Sequence, residues 1–387
     1  MTPRISARAW DALTSLKLTL VCLALLMVLV VACTLAQVEL GTFGAVSVYI
    51  RSFLVWWPVP GTAAKLPVFP GGGLVGLVLT LNLVAAQAKR MELSWRKTGL
   101  WIVHAGLILL FVGEFVTGAF QVETQLSIEE GQTLSYVESP RRMELALVDT
   151  TDPAHDEVYG IPESRLAASK VIEVAGTPIS IRVKGFFQNA ELTRREQGQG
   201  ASPADRGVGA DVGVRQLPPV SGDNEIDLRA AYVEPIANGR SYGTWLVSNG
   251  LGAPQSFLHE GRTWTLSMRR RREYLAYTLR LKQFRHDRYP GTDIPKNFSS
   301  LVQIDNPARG EQRDVLISMN QPLRYGGKAF YQASFGKNDT LSVLQVVENP
   351  GWLLPYVSCI LVGAGLILHF MLALFRSLKR TGALVTR

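Results

Sequence analysis

Four stretches of nearly uncharged residues constrain this chain more than any other feature. They run from about Leu18 to Ala36, Gly72 to Ala88, Thr98 to Phe120 and Trp352 to Phe375. A helix of about 20 apolar residues matches the hydrocarbon thickness of a bilayer, where a segment must satisfy its own backbone hydrogen bonds. The pattern predicts four transmembrane helices, the second of them short and begun on glycine. Val30-Val31-Ala32-Cys33 resembles a lipoprotein cleavage box. The first run is nevertheless longer than the usual 7–15 residues of a signal core, which favours a retained anchor.

Charge sets the expected topology. The chain of 387 residues is 47% hydrophobic and 19% charged, with a net charge of +8, against about 25% charged residues in a soluble domain. Between Gln121 and Glu348 lie 27 Lys and Arg and 28 Asp and Glu, so the excess sits elsewhere. Eleven basic residues flank the apolar runs: Arg4, Arg8, Lys17, Lys89, Arg90, Arg96, Lys97, Arg376, Lys379, Arg380 and Arg387. All fall on one side of a four-span topology, which places both termini in the cytoplasm by the positive-inside rule. A basic excess arranged in this way reads as topology and excludes nucleic-acid binding.

The expected organisation is a membrane domain over 1–120, an extracytoplasmic domain over 121–349, and a last helix with a basic tail over 350–387. The fold class is α+β: an integral membrane protein whose large antiparallel β-rich domain is inserted between helices 3 and 4. Alternation in ISIRVKGFF, YTLRLKQF and TLSVLQVV supports strands. Gln197–Asn224, rich in Gly and Asp, reads as a long mobile loop, and Arg269–Arg272 as a solvated edge or loop, with an acidic or haem-propionate contact as the sharper alternative. Trp56 and Trp57, between the first two spans, fit an interfacial belt or a short re-entrant segment. Cys22, Cys33 and Cys359 all lie in apolar runs without a CxxC, which excludes a zinc or thioredoxin-type site and predicts buried, inert thiols.

Ionisable residues inside a span are costly and mark functional candidates. His104 lies seven residues inside Lys97, and His369 seven residues inside Arg376, so two imidazoles are expected at matching depth near the cytoplasmic face. Histidine is an axial ligand of haem iron, and this pair is a candidate for that role, His104 ahead of His369. Packing histidines are the plainer alternative. Glu114, about 15 Å further along the third span than His104, reads as an interfacial anchor. His155, His259 and His286 stand at no metal-ligand spacing. No nucleophile elbow, Walker motif, HExxH or dinucleotide fingerprint occurs, so no catalytic residue is assigned.

Several segments resemble the ResB/CcsB family of cytochrome c biogenesis proteins. They are SLKLTLVCLALLMVLVVACTLAQ, RKTGLWIVHAGLILLFVGEF, LSIEEGQTLSY, YTLRLKQFRHDRYPGTDIPKNFSSLVQID, DVLISMNQPLRYGGKAFYQASFG and VVENPGWLLPYVSCILVGAGLILHF. The resemblance implies a subunit of a cytochrome c synthetase, not catalytic alone. With a CcsA/ResC-type membrane partner it carries haem b in transit and presents it to apocytochrome c, whose cysteines a thioredoxin-like thiol reductase keeps reduced. His104 matches the histidine of the family's third span; His369 rests on the depth argument only. The tryptophan-rich haem motif expected of the partner is missing here, Trp57 being followed by Pro58. The alternative is an extracytoplasmic scaffold or chaperone for apocytochrome c with no haem ligand of its own. A bacterial inner membrane is favoured, since no transit peptide precedes the first run.

Overall fold

The computed structural model describes residues 3–59, 61–62, 64–90, 92, 94–195, 202–220, 226–292, 294–337 and 339–385. The chain divides into two compact units. One is Met1–Gln121 with Asn349–Arg387, and the other is Val122–Val220 with Glu225–Glu348.

The first unit is helical. Helix α1 covers Pro3–Leu13, α2 Leu16–Ala45, α3 Gly72–Arg90 and α4 Thr98–Phe120; α5 (Glu163–Ala168) belongs to the second unit, and α6 (Leu354–Val385) closes the chain. Four stretches, Leu16–Ile50, Gly72–Arg90, Trp95–Phe120 and Leu354–Leu378, are long and apolar enough to cross a membrane. The described residues therefore include four apolar helices and a large antiparallel β domain, as a multi-pass membrane protein requires.

The α1–α2 break exposes backbone groups that lipid cannot satisfy. Asn82, 2% exposed on α3, takes them up. Its amide donates to Leu13 O at 2.5 Å and Ser15 O at 3.1 Å, and its oxygen accepts from Thr19 Oγ1 at 2.6 Å. Ser15 Oγ caps α2 by accepting from Lys17 N–H. Near its far end α2 kinks at Gly41, whose φ of 66° is left-handed, and continues into a π-helical turn over Val46–Ile50. Trp56 and Trp57 then sit on a strand, Leu54–Pro58, paired antiparallel with Lys65–Pro70. The region expected as a belt or re-entrant segment is thus a hairpin.

Small residues set the α4–α6 contact. Gly99, Gly106 and Gly113 recur every seven residues along α4 and are its buried positions. A Cβ on Gly99 would lie 2.6 Å from His369 N, one on Gly106 3.0 Å from Ser358 O, and one on Gly113 2.9 Å from Leu354 Cβ. A seven-residue repeat keeps one face toward its neighbour, and glycine lets the backbones approach. Gly365 answers from α6, where a Cβ would stand 2.8 Å from Gly99 O.

The second unit contains a ten-stranded and a five-stranded antiparallel sheet. Arg262–Arg288, 27 residues long, and its partner Thr133–Asp149 run through two cores. Trp264, Leu266 and Met268 enter one; Tyr277, Leu279 and Leu281 enter the other. Burial alternates with period two on each side, but its phase switches from even to odd positions. Register shifts between Arg270 and Arg272 and again between Tyr274 and Leu279 mark the changeover.

Arg269–Arg272 lies on this strand, at the changeover, and not in a loop. Arg269 Nε donates to Glu144 Oε1 at 3.0 Å and Arg272 Nε to Glu138 Oε1 at 2.9 Å, with the Arg272 guanidinium 3.9 Å from the Tyr136 ring centroid. Charge is tolerated there because the strand lies between two cores rather than under one. The Gly/Asp-rich stretch also contains order. Val212–Gln216 pairs with Ala190–Arg194, while 196–201 and 221–225 lie outside the described residues.

A charged cluster braces the five-stranded sheet. Glu234, 7% exposed, accepts from Ser241 Oγ at 2.5 Å and Arg182 Nη1 at 3.0 Å, with Lys184 Nζ at 3.3 Å. The Ser241 hydrogen bond, with Arg182 and Lys184, holds its carboxyl below the usual carboxylate range against the opposing effect of burial. A depressed folded-state pKa gives stability that is present above the unfolded value of about 4.3 and is lost as pH falls through the folded one. Glu234→Gln should lower the stability of the β domain by about 1–2 kcal/mol at neutral pH, a range kept low because both cations are half exposed. The gap to the unchanged protein should close as pH falls below that window, as read from thermal unfolding across a pH series.

Candidate functional site

The helical unit carries the intramembrane histidines. His104 Nδ1 lies 2.7 Å from Leu100 O. A carbonyl only accepts, so Nδ1 carries the proton and the lone pair of the neutral ring is on Nε2, the form in which imidazole ligates a metal.

His369 is placed differently. Its backbone sits against Gly99, five residues before His104, so the two histidines are offset by about 7.5 Å along the helix axis at 1.5 Å per residue. The equal-depth expectation assumed that both helices begin at their flanking cations. The glycine contacts instead fix the relative slide of α4 and α6. Because side chains tilt toward the N-terminus of their own helix, and these helices are antiparallel, the two imidazoles lean toward each other's level.

The His369 ring packs on Phe370, and its Nδ1 is buried without a hydrogen-bond partner. His369 also lines a cleft of about 660 Å³ with Trp95, Arg96, Lys97, Leu100 and Arg376. Arg376 Nε donates to Leu372 O at 2.9 Å, and Lys97 pairs with Glu92 at 3.0 Å. The cleft therefore combines cations, the Glu92 carboxylate, an indole, an aliphatic wall and an imidazole ring. Sequence reasoning used Arg96, Lys97 and Arg376 as topology markers and passed over their joint cleft, because the contact between α4 and α6 is what assembles it. The structure brings His369 to the cleft and leaves His104 off its lining.

The remaining candidates are spread out. Glu114 is exposed on α4. Cys22 and Cys33 are buried as expected, whereas Cys359 is exposed on α6. His155 pairs with Asp152, His259 Nδ1 bonds Tyr242 OH at 2.6 Å, and His286 Nδ1 bonds Asp339 at 3.0 Å.

The helices and sheets define a multi-pass membrane protein with a large antiparallel β domain. Residues 236–343, all in that domain, match the ResB-like family. The chain is also 24% identical to protein NrfI of Wolinella succinogenes over 296 residues, which is 76% of this chain and 29% of that protein. It thus spans under a third of the length of this curated relative. Both matches bear out the resemblance to the ResB/CcsB family, and neither His104 nor His369 falls within the ResB-like match.

The glycine seam sets where His369 stands against α4. Gly365→Ala should drive the helices apart and lower the thermal midpoint of the purified protein, as overpacking costs about 1–3 kcal/mol. Gly363→Ala, two residues away with nothing within 4 Å of its new Cβ, should leave the midpoint unchanged or raise it. Differential scanning fluorimetry in detergent reads both.

Proposed function

We propose that this chain is the ResB/CcsB-type subunit of a cytochrome c biogenesis system. The ResB-like match and the likeness to NrfI support that role. In this reading it works with a CcsA/ResC-type membrane partner to carry haem across the membrane and present it to apocytochrome c, with a thioredoxin-like reductase acting on the apocytochrome cysteines. The basic flanks face the cytoplasm and the β domain lies outside, in agreement with the positive-inside rule.

The observation that carries the haem reading is the cleft around His369. Haem is an apolar plate with two carboxylates and an iron that takes imidazole as an axial ligand. Trp95 and Leu100 suit the plate, Arg96 and Arg376 suit the carboxylates, and the unpartnered Nδ1 of His369 supplies the nitrogen. Arginine presents a planar fork that matches a carboxylate. His104, held by Leu100 O with its Nε2 lone pair available, is the second candidate ligand. Haem is the cargo, and the work of this chain is to hold and orient it at a membrane face.

The test is the haem content of this protein purified with its CcsA-type partner, measured as pyridine haemochrome. His369→Ala and His104→Ala should each lower haem several-fold in complexes that still assemble, and Arg96→Gln combined with Arg376→Gln should weaken retention. Unchanged haem in both histidine variants would favour the scaffold reading, in which the β domain alone carries the function.

A further inference from the structure

The β domain holds a second cavity, remote in sequence from the histidines and independent of the haem reading. It measures about 300 Å³ and is walled by Glu273–Tyr277 of the long strand, Asn306, the turn at Ala308–Arg309, and Tyr325–Lys328. That is at the small end of ligand sites, roughly 300–1,000 Å³. Two of its residues end in buried polar atoms without partners, Tyr277 OH and Asn306 Oδ1, each residue being 6% exposed.

The hydrogen-bond network fixes what each offers. Tyr325 OH donates to Glu311 Oε2 at 2.7 Å, so its oxygen must accept from Asn306 Nδ2 at 2.9 Å. The Asn306 amide therefore cannot be flipped, and Oδ1 is the atom left as an acceptor. Tyr277 packs edge-on against Tyr325 at 4.8 Å, and burial, with Tyr325 and Glu273 beside it, pushes its hydroxyl up to about 12. At neutral pH it is an O–H donor. The wall thus presents one desolvated donor and one desolvated acceptor from different strands. Each is costly to leave unpaired in a buried position.

The adjoining backbone lies at an irregularity of the sheet. The ladder to Thr133–Asp149 pairs Tyr274 with Tyr136 and next Leu279 with Leu134, while the ladder to Pro295–Asn306 begins at Thr278 opposite Asp305. Leu275, Ala276 and Tyr277 fall outside both. Gly326 keeps the space clear: its φ is +60°, and a Cβ would lie 2.8 Å from the Tyr277 ring.

We propose that this cavity binds the main-chain amide of an extended polypeptide from another protein. A peptide group offers a carbonyl to Tyr277 OH and an N–H to Asn306 Oδ1. The strand continuing from that group can lie along the unpaired 275–277 segment, as in recognition by β-strand addition. Main-chain capture of this kind accepts varied sequences, because neither polar atom reads a side chain.

The test uses the full-length protein in detergent and a fluorescein-labelled, acetylated (Thr-Val)4 amide peptide, followed by anisotropy. Wild-type protein should bind it. Tyr277→Phe, or backbone N-methylation of the peptide, should weaken binding about five- to tenfold, the effect of losing one hydrogen bond of about 1 kcal/mol or slightly more. Tyr277→Phe should keep or raise the thermal midpoint, because the hydroxyl it removes has no partner within the protein. A benzoylphenylalanine at Ala276 should cross-link to the peptide. The proposal is overturned if wild-type protein does not bind at millimolar peptide, or if Tyr277→Phe binds equally well. A fall in the Tyr277→Phe midpoint would likewise overturn it, since it would mean that a fixed water already bridges the two atoms.

Discussion

The pairing of two unusually long strands, Thr133–Asp149 and Arg262–Arg288, is the constraint on which the β domain depends. Neither core closes without it: each strand gives one half of its apolar positions to one core and the other half to the second. Successive side chains of a strand point to opposite faces, so a change of the buried positions from even to odd lets one strand serve two cores. The irregularities around Arg270–Arg272 and Tyr274–Leu279 lie at that change. Where the phase changes, neither face is covered, and the two buttressed arginines occupy the interval. The second irregularity leaves Leu275–Tyr277 out of both ladders, so the cavity at Tyr277 follows from the same topological need.

In the helical unit the equivalent role falls to close backbone contact. Lipid supplies no hydrophobic drive between helices, so shape and small residues decide how they associate. Gly99, Gly106, Gly113 and Gly365 let α4 and α6 meet backbone to backbone, and that contact sets the axial slide of one helix against the other. The slide places His369 beside the start of α4, where Trp95, Arg96 and Lys97 precede the span. Asn82 performs a complementary task at the α1–α2 break by donating to the Leu13 and Ser15 carbonyls.

Much of this was legible in the sequence. The apolar runs located four spans to within a few residues at most ends, because hydrocarbon thickness sets their length. Alternation located several strands of the β domain, among them Ile179–Phe187 and Leu341–Glu348. The first helix and the Leu54–Pro70 hairpin were not legible, since α1 has only 11 residues and the hairpin carries two prolines in six residues. Cys359 was expected to be buried and is exposed, because an apolar run does not say which of its faces meets another helix. Asn82 is an amide within an apolar span, not an ionisable group, so the cost of burying charge does not single it out.

The sequence by itself determined which segments are apolar enough to span a membrane, which alternate as strands, and which histidines stand in apolar surroundings. These properties are local and depend on composition and period. Only the tertiary structure decided that His369 shares a cleft with Arg96 and Arg376, that Arg269 and Arg272 are paired, and that Tyr277 and Asn306 line one cavity. Each of those depends on the slide of one element against another, and slide is set by contacts between residues far apart in the chain.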